Sequence, residues 1–309
     1  MGELRFDELR NEEVVYAIHR QERTFLPSRE HCPLDPTRPA GPPTEIPFPE
    51  FEIAVFDNRF PAFEEPRGAA EVVVYTDCHD GSFGTLSPAR AEALMWVWRH
   101  RYAELGARED VEYVMIFENR GVEVGVTLHH PHGQIYGYPF LPPVPRLELE
   151  ADERLGGCAP CSLLARELAA ARRVIYQNEA VVAYVPLAAR WAYEVHLVMR
   201  EHRPSLLDCG AEELRLLAVA LQAVVRGYDA LFDRPFPYVM VVHQAPTGAV
   251  APGTSDPQGH LHVEFYPPLR TAEKLKYLAG SEQGAGTFIS DTLPEDSAAT
   301  LLEAIARAG

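Results

Sequence analysis

Long apolar runs are missing from this 309-residue chain. The longest fall far short of the ~20 residues that span a bilayer, and no early segment joins a basic stretch to an apolar one. Neither a membrane span nor an export signal is expected. Excess positive charge is missing too: 28 Lys and Arg stand against 45 Asp and Glu, a formal net charge of -17. A nucleic-acid backbone would be repelled, although a locally basic pocket for a small phosphorylated molecule is still allowed. Cysteine is scarce and odd in number. Cys32, Cys78, Cys158, Cys161 and Cys209 are too few for a disulfide framework in a chain this long. Reduced thiols, metal ligation and a cytoplasmic location fit better. The remaining composition is ordinary and globular, 47% hydrophobic, enough for one large domain or two of about 150 residues.

The chain contains one pattern twice, about 125 residues apart, too long a period for a solenoid and suited to a duplicated domain. The first copy runs from Cys32 through an apolar segment at Glu71–Tyr75, His79, a helix and Tyr113-Val114-Met115 to His130-Pro131-His132. The second runs from Cys158-Ala159-Pro160-Cys161 through Tyr193–Arg200, His202, a helix and Tyr238-Val239-Met240 to His260-Leu261-His262. Separations agree: Cys32 to His79 is 47 against 44 for Cys158 to His202, and His79 to Tyr113 is 34 against 36 for His202 to Tyr238.

Ser87-Pro88 supplies an N-cap and an N1 proline, and Leu94, Trp98, Tyr102 and Leu105 then recur at helical spacing before Gly106. A second helix, from about Ala211 to Phe232, carries Leu214, Leu217, Leu221, Val224 and Tyr228 on one face. Strands are expected at Phe51–Phe56, Glu71–Tyr75, Tyr113–Phe117, Val181–Val185, Tyr193–Arg200 and Tyr238–Val242, which are rich in Val, Ile and aromatics. Pro- and Gly-rich tracts at 33–49 and 246–257 read as loops. The fold class is α+β: two like domains, 1–147 and 148–309, whose antiparallel sheet is flanked by helices and fused into one pseudo-symmetric unit. The boundary falls near 142–157, where prolines and then the charged run Glu148–Arg154 interrupt the apolar pattern.

In an extended strand, residues two apart share a side, so His130 and His132 present two imidazoles together, as do His260 and His262. Each pair could be a hydrogen-bonded structural pair. The repetition argues for more, as do Gly121 and Gly125 before the first pair and Gly133-Gln134 after it, since small residues let phosphate oxygens approach backbone N–H groups.

Phe117-Glu118-Asn119-Arg120-Gly121, then Gly125, then His130-Pro131-His132-Gly133-Gln134 resembles the active-site stretch of the galactose-1-phosphate uridylyltransferases, members of the histidine-triad superfamily. The likeness extends through Arg20–Arg23, Asn58-Arg59-Phe60, His79, Glu148, Phe236-Pro237-Tyr238, His243, the His260–His262 pair and Lys276–Glu282. It implies that His132 attacks the α-phosphorus of UDP-glucose and that the His130 backbone holds its far ring nitrogen. Gln134 would bind phosphoryl oxygens, with Arg20, Arg23, Asn58, Asn119, Gly125, Thr127, Lys276 and Glu282 around nucleotide or sugar. Hexose-1-phosphate takes the nucleotidyl group in a second half-reaction, so ping-pong kinetics are expected. The resemblance also implies a homodimer, in which Lys276–Glu282 serve the neighbouring subunit. Pro33, Val126-Thr127 and Phe288 depart from the family pattern and bear on base and sugar choice.

Zinc or iron is expected as a structural ion. The family resemblance implies a first site of Cys32, Asp35, His79 and His130, with Asp35 where a cysteine is usual; alternatively Asp35 is a turn residue before Pro36. In the second copy, Cys158, Cys161, His202 and His260 form an intact zinc signature. The resemblance also points to Glu148, His243, His260 and His262, the preferred set. His260 cannot easily serve both, and the cysteines would otherwise be small buried residues at a helix start. Two alternatives to the transferase stand: a nucleoside-diphosphate-sugar phosphorylase using the same histidine, and a non-catalytic nucleotide or metal sensor.

Overall fold

The computed structural model describes residues 3–22, 26–28, 31–39, 41–248 and 259–309. A separate hairpin pairs β1 (Glu3–Asp7) with β2 (Glu12–Tyr16). The body is one nine-stranded sheet built from β3 (Ala54–Asp57), β4 (Ala69–Val74), β5 (Tyr113–Arg120), β6 (His132–Tyr138), β7 (Val174–Gln177), β8 (Val181–Tyr184), β9 (Val195–Met199), β10 (Tyr238–His243) and β11 (His262–Tyr266). Its order is β3-β4-β6-β5-β10-β11-β9-β8-β7, with every pair antiparallel. Outward from the β5–β10 seam, β6, β4 and β3 on one side answer β11, β9 and β8 on the other. The duplicated pattern has therefore become one continuous sheet with a pseudo-two-fold axis at the seam, where Tyr238 to Val242 run against Arg120 to Ile116.

Alternation along the strands gives the sheet two unlike faces. Val73, Ile116, Ile135, Val242, Val263 and Phe265 face α1 (Pro88–Gly106) and α4 (Ala211–Leu231) in the main core. The Ser87 side chain accepts from Arg90 N, capping α1 as its sequence predicts. Leu94, Trp98, Tyr102 and Leu105 on α1, and Leu214, Leu217, Leu221, Val224 and Tyr228 on α4, are all buried. Trp98 is among the largest fully buried side chains, and truncation to alanine would cost about 3–5 kcal/mol. The other face carries a smaller cluster, Ala70, Phe117, Tyr136 and Val241 with Phe63, beside His132 and Gln134.

Strand bounds differ from the expected ones by at most three residues, most at β3, which starts at Ala54, and at β5, which runs on to Arg120. Glu148–Arg154 is no connector. It lies in α2 (Pro143–Leu155), which starts on a proline pair and stops at Gly156 with φ +67°. Pro145 is its one buried residue; Val144, Leu147, Ala151 and Leu155 recur at helical spacing, with Val144, Leu147 and Leu155 exposed. Three further features accompany the expected elements: α3 (Ala159–Ala170), α5 (Pro294–Ala308) near the C-terminal end and the β1–β2 pair ahead of the first copy. The described residues of the tract 33–49 are loop with one isolated bridge, while residue 40 and 249–257 of the second tract lie outside the described residues. Among the described residues no helix is long and apolar enough to cross a membrane.

Candidate active site

His132 opens β6, and its Nδ1 lies 2.7 Å from the His130 carbonyl oxygen. A carbonyl only accepts, so Nδ1 carries the proton and Nε2 keeps its lone pair. Burial lowers the pKa of this ring below its usual value near 6.5, which favours the neutral form. Gly133 must be glycine: a Cβ there would lie 2.2 Å from the Tyr75 hydroxyl. That close approach fixes the backbone between His132 and Gln134.

The Gln134 side-chain carbonyl accepts from Asn58 Nδ2 at 3.1 Å and from the Tyr136 hydroxyl at 3.2 Å. The Tyr136 hydroxyl in turn accepts from Arg20 at 3.1 Å. With its oxygen doubly engaged, Gln134 presents its NH2 group as a donor. Thr127, Asn58, His132 and Gln134 line one cavity, and Asn119, His130 and His132 line another. His132 and Leu128 stand on both walls. Gly121, with φ +94°, begins the turn between β5 and β6, and a Cβ there would lie 2.6 Å from Pro237 Cβ. Gly125 ends that turn in the left-handed region at φ +80°.

Of the expected binding residues, the structure thus brings Arg20, Asn58, Asn119 and Thr127 around His132 and Gln134. Arg23 lies outside the described residues. Lys276 and Glu282 pair with each other at 3.7 Å and lie away from both cavities, where Lys276 packs over Phe288. Phe288 rests against Trp191 and Arg190 of the second half. Tyr136 and Glu118 were given no role from the sequence, although Glu118 lies within the stretch that carries the family resemblance. Their signal is positional: Tyr136 shares the Gln134 face of β6, and Glu118 is a charged residue inside an otherwise apolar strand. Glu118 lines the His132 cavity, accepts from the Tyr238 hydroxyl at 3.0 Å, and is pushed up to about 7 by burial.

Three groups of metal-ligating side chains form. In the first, Asp35 Oδ1 lies 2.9 Å from His79 Nδ1 and 3.0 Å from His130 Nδ1, with Cys32 alongside. His130 Nε2 donates to Thr76 O at 2.7 Å, so its Nδ1 turns a lone pair toward a carboxylate. A lone pair facing a carboxylate requires a proton or a cation between them, and the donor set suits a metal ion. The second half repeats the device. His260 Nε2 donates to Met199 O at 3.0 Å, and its Nδ1 lies 3.3 Å from Cys158 Sγ and 3.2 Å from Cys161 Sγ, with His202 nearby. Burial, then the His262 and His202 rings, lower His260 to about 4.

The geometry groups these side chains differently from the preferred sequence reading, in which His260 joined Glu148, His243 and His262. The carbonyl of Met199 and the two thiols orient the His260 ring toward the cysteines. Glu148, His243 and His262 gather without it, with Glu148 Oε2 accepting from His243 Nδ1 at 3.1 Å. The two sets therefore stand side by side. Cys158 caps α3 and Cys161 follows it, both half-buried, and Cys78 is exposed. His196, given no role from sequence, is hydrogen-bonded to Glu194.

Known proteins match this arrangement along its length. A model of the galactose-1-phosphate uridyl transferase N-terminal domain matches residues 48–142, and one of the C-terminal domain matches 153–307. The galactose-1-phosphate uridylyltransferase of Thermotoga maritima is 36% identical over 326 aligned positions, taking in 98% of each chain. That of Streptomyces lividans is 38% identical, over 88% of this chain and 79% of its own. A solved uridylyltransferase structure superposes with a TM-score of 0.87 at 30% identity over the whole of both chains. An ADP-glucose phosphorylase from Arabidopsis thaliana shares the fold, with a TM-score of 0.73 at 21% identity over 98% of this chain and 99% of its own. With both halves matched in order and near-complete relatives above 30% identity, the chain belongs to the galactose-1-phosphate uridylyltransferase family.

Proposed function

We propose that this enzyme transfers a uridylyl group from UDP-glucose to galactose 1-phosphate through a covalent adduct on His132. The observation that carries this reading is the His132 ring itself, with Nδ1–H held by the His130 carbonyl and Nε2 free at a cavity wall. Nε2 attacks the α-phosphorus, an N–P bond forms, and the bond to the bridging oxygen breaks, so glucose 1-phosphate leaves with that oxygen. The His130 carbonyl steadies the positive charge that develops on the ring. Gln134, with Asn58 and Tyr136 fixing its amide, donates to the phosphoryl oxygens, and Arg20, Asn119, Thr127 and Gly125 shape the surroundings. A phosphate oxygen of galactose 1-phosphate then attacks the same phosphorus and frees the imidazole.

The same reading takes residues 1–147 and 148–309 as two copies of one unit. It assigns structural metal ions, zinc or iron, to Cys32, Asp35, His79 and His130, to Cys158, Cys161, His202 and His260, and to Glu148, His243 and His262. Such an ion would hold the loops that carry the histidine pairs. We also take the enzyme to be a cytoplasmic homodimer in which Lys276 and Glu282 act near the partner's site. The reaction is tested by quenching turnover and locating the adduct by mass spectrometry: uridylyl on the 132-containing peptide is expected, and none there overturns the reading. Discharge of that adduct by galactose 1-phosphate and not by inorganic phosphate separates the transferase from a phosphorylase.

A further inference from the structure

The turn from Gly121 to Gly125 carries the chain from β5 toward the His130–His132 pair and is held lightly by its own backbone. Val124 N and Val126 N donate to the Gly121 carbonyl at 3.2 and 3.3 Å, and Gly125 N donates to the Val122 carbonyl at 3.0 Å. Its bracing comes from the second half. Asp229 accepts from both terminal nitrogens of Arg120, at 2.7 and 3.1 Å, and Pro237 lies against Gly121. Arg234 adds a further contact: its Nη2 donates to Glu123 Oε1 at 2.6 Å, and its Nη1 to the Ala272 carbonyl at 3.3 Å. One guanidinium thus joins the turn, the approach to β10 and the start of the stretch that carries Lys276 and Glu282. The other Glu123 oxygen folds back over Gly121, where a Cβ would lie 2.8 Å from it. Arg234 and Glu123 both line the cavity that holds His132. Duplication does not account for the bridge, because the first half has Glu109 four residues before Tyr113, where the second has Arg234 before Tyr238.

We propose that Arg234 is a positioning residue for the transfer. Its bridge to Glu123 holds the Gly121–Gly125 turn, and with it Asn119 and the Gly125 backbone, beside the path by which phosphate reaches His132. The same bridge neutralises the Glu123 carboxylate, which would otherwise stand unpaired in a cavity that must admit a diphosphate. This rests on the reading of His132 as the nucleotidyl acceptor. The two side chains are 41% and 17% exposed, and an ion pair this open to water adds little to the stability of the fold. What it sets is where a carboxylate and a turn stand as the substrate enters. Arg234 makes no contact with the reacting atoms, so its loss falls on KM for both substrates and spares the bond-making step.

The test is steady-state kinetics on the full chain, with UDP-glucose and galactose 1-phosphate varied in turn. Arg234→Ala is expected to raise both KM values about tenfold, to keep kcat within about threefold, and to leave the melting temperature near that of wild type. Adding Glu123→Gln removes the stranded carboxylate and should recover roughly threefold of that loss. Arg234→Lys keeps the charge and should stay within about threefold of wild type in both KM values. Unchanged KM values in Arg234→Ala overturn the proposal, as does a fall in kcat with KM unaltered, or no recovery when Glu123→Gln is added. Should Arg234→Ala not fold, the exchange of Glu123→Arg with Arg234→Glu decides: KM values near wild type support the bridge, and values raised about tenfold overturn it. The labelled adduct on wild-type His132 is read in parallel. Its absence sinks the transfer reading itself, whereas an adduct alongside unchanged KM values in Arg234→Ala sinks the bridge alone.

Discussion

In the first half β6 carries His132 and Gln134, and in the second β11 carries His262 and Glu264. Both histidines have Nδ1 held by the carbonyl two residues earlier, at 2.7 Å and 2.6 Å. Both preceding histidines give Nε2–H to a carbonyl, of Thr76 in one half and Met199 in the other. The backbone device is the same, and only what faces the free nitrogen differs. His132 Nε2 stands at cavity walls with a neutral amide beside it. His262 Nε2 stands before Glu264 and Glu148, beside the His243 ring. A neutral neighbour leaves the lone pair for an incoming phosphorus, whereas carboxylates repel a phosphate and attract a cation.

The comparison breaks most visibly at the two histidines. His132→Asn is expected to lower the transfer rate by at least about 10⁴-fold and to abolish the labelled adduct. His262→Asn should stay within about 100-fold of wild type and still trap label, as retained radioactivity after denaturation will show. Next comes Gln134→Glu, which gives the first half the second half's residue. It should cost roughly 10²–10³ in kcat/KM through lost donation and added repulsion, read from initial rates in each half-reaction.

Glu118 has no carboxylate counterpart: His243 stands at the matching place in β10. Because burial raises its folded pKa to about 7 from 4.5, the folded state binds more protons than the unfolded one between those values. Stability from the neutral form is complete below pH 4.5 and is lost as pH rises toward 7. Wild type should therefore lose about 3 kcal/mol relative to Glu118→Gln across that window, measured by urea unfolding at several pH values. An unchanged difference would mean that Glu118 stays ionised. The smallest effect is expected from Asp35→Cys, which copies the second half's thiolate pair into the first. Metal release to a chromogenic chelator should slow by about tenfold.

The duplication, the two long helices and the histidine pairs were legible because each repeats in order and has a periodicity of its own. Helix α2 was not, since its opening prolines and the charged run Glu148–Arg154 read as a break and hid the short stripe of Val144, Leu147 and Leu155. The allegiance of His260 was not legible either: spacing along a chain cannot say which way a ring turns, and the Met199 carbonyl decides that. Tyr136 escaped for a similar reason, as a tyrosine in a strand reads as packing until Arg20 arrives from 116 positions away.

The β5–β10 seam has a consequence for fragments of this chain. Cut between the copies, the first would expose the whole hydrogen-bonding edge of β5, from Tyr113 to Arg120, an open template for any strand of similar length. Since β5 and β10 meet head to tail about a local dyad, a second β5 could take the vacant place in the same orientation. An isolated half would then be expected to pair with itself or to aggregate, and the linker at the middle of the chain works as a tether that makes this docking intramolecular.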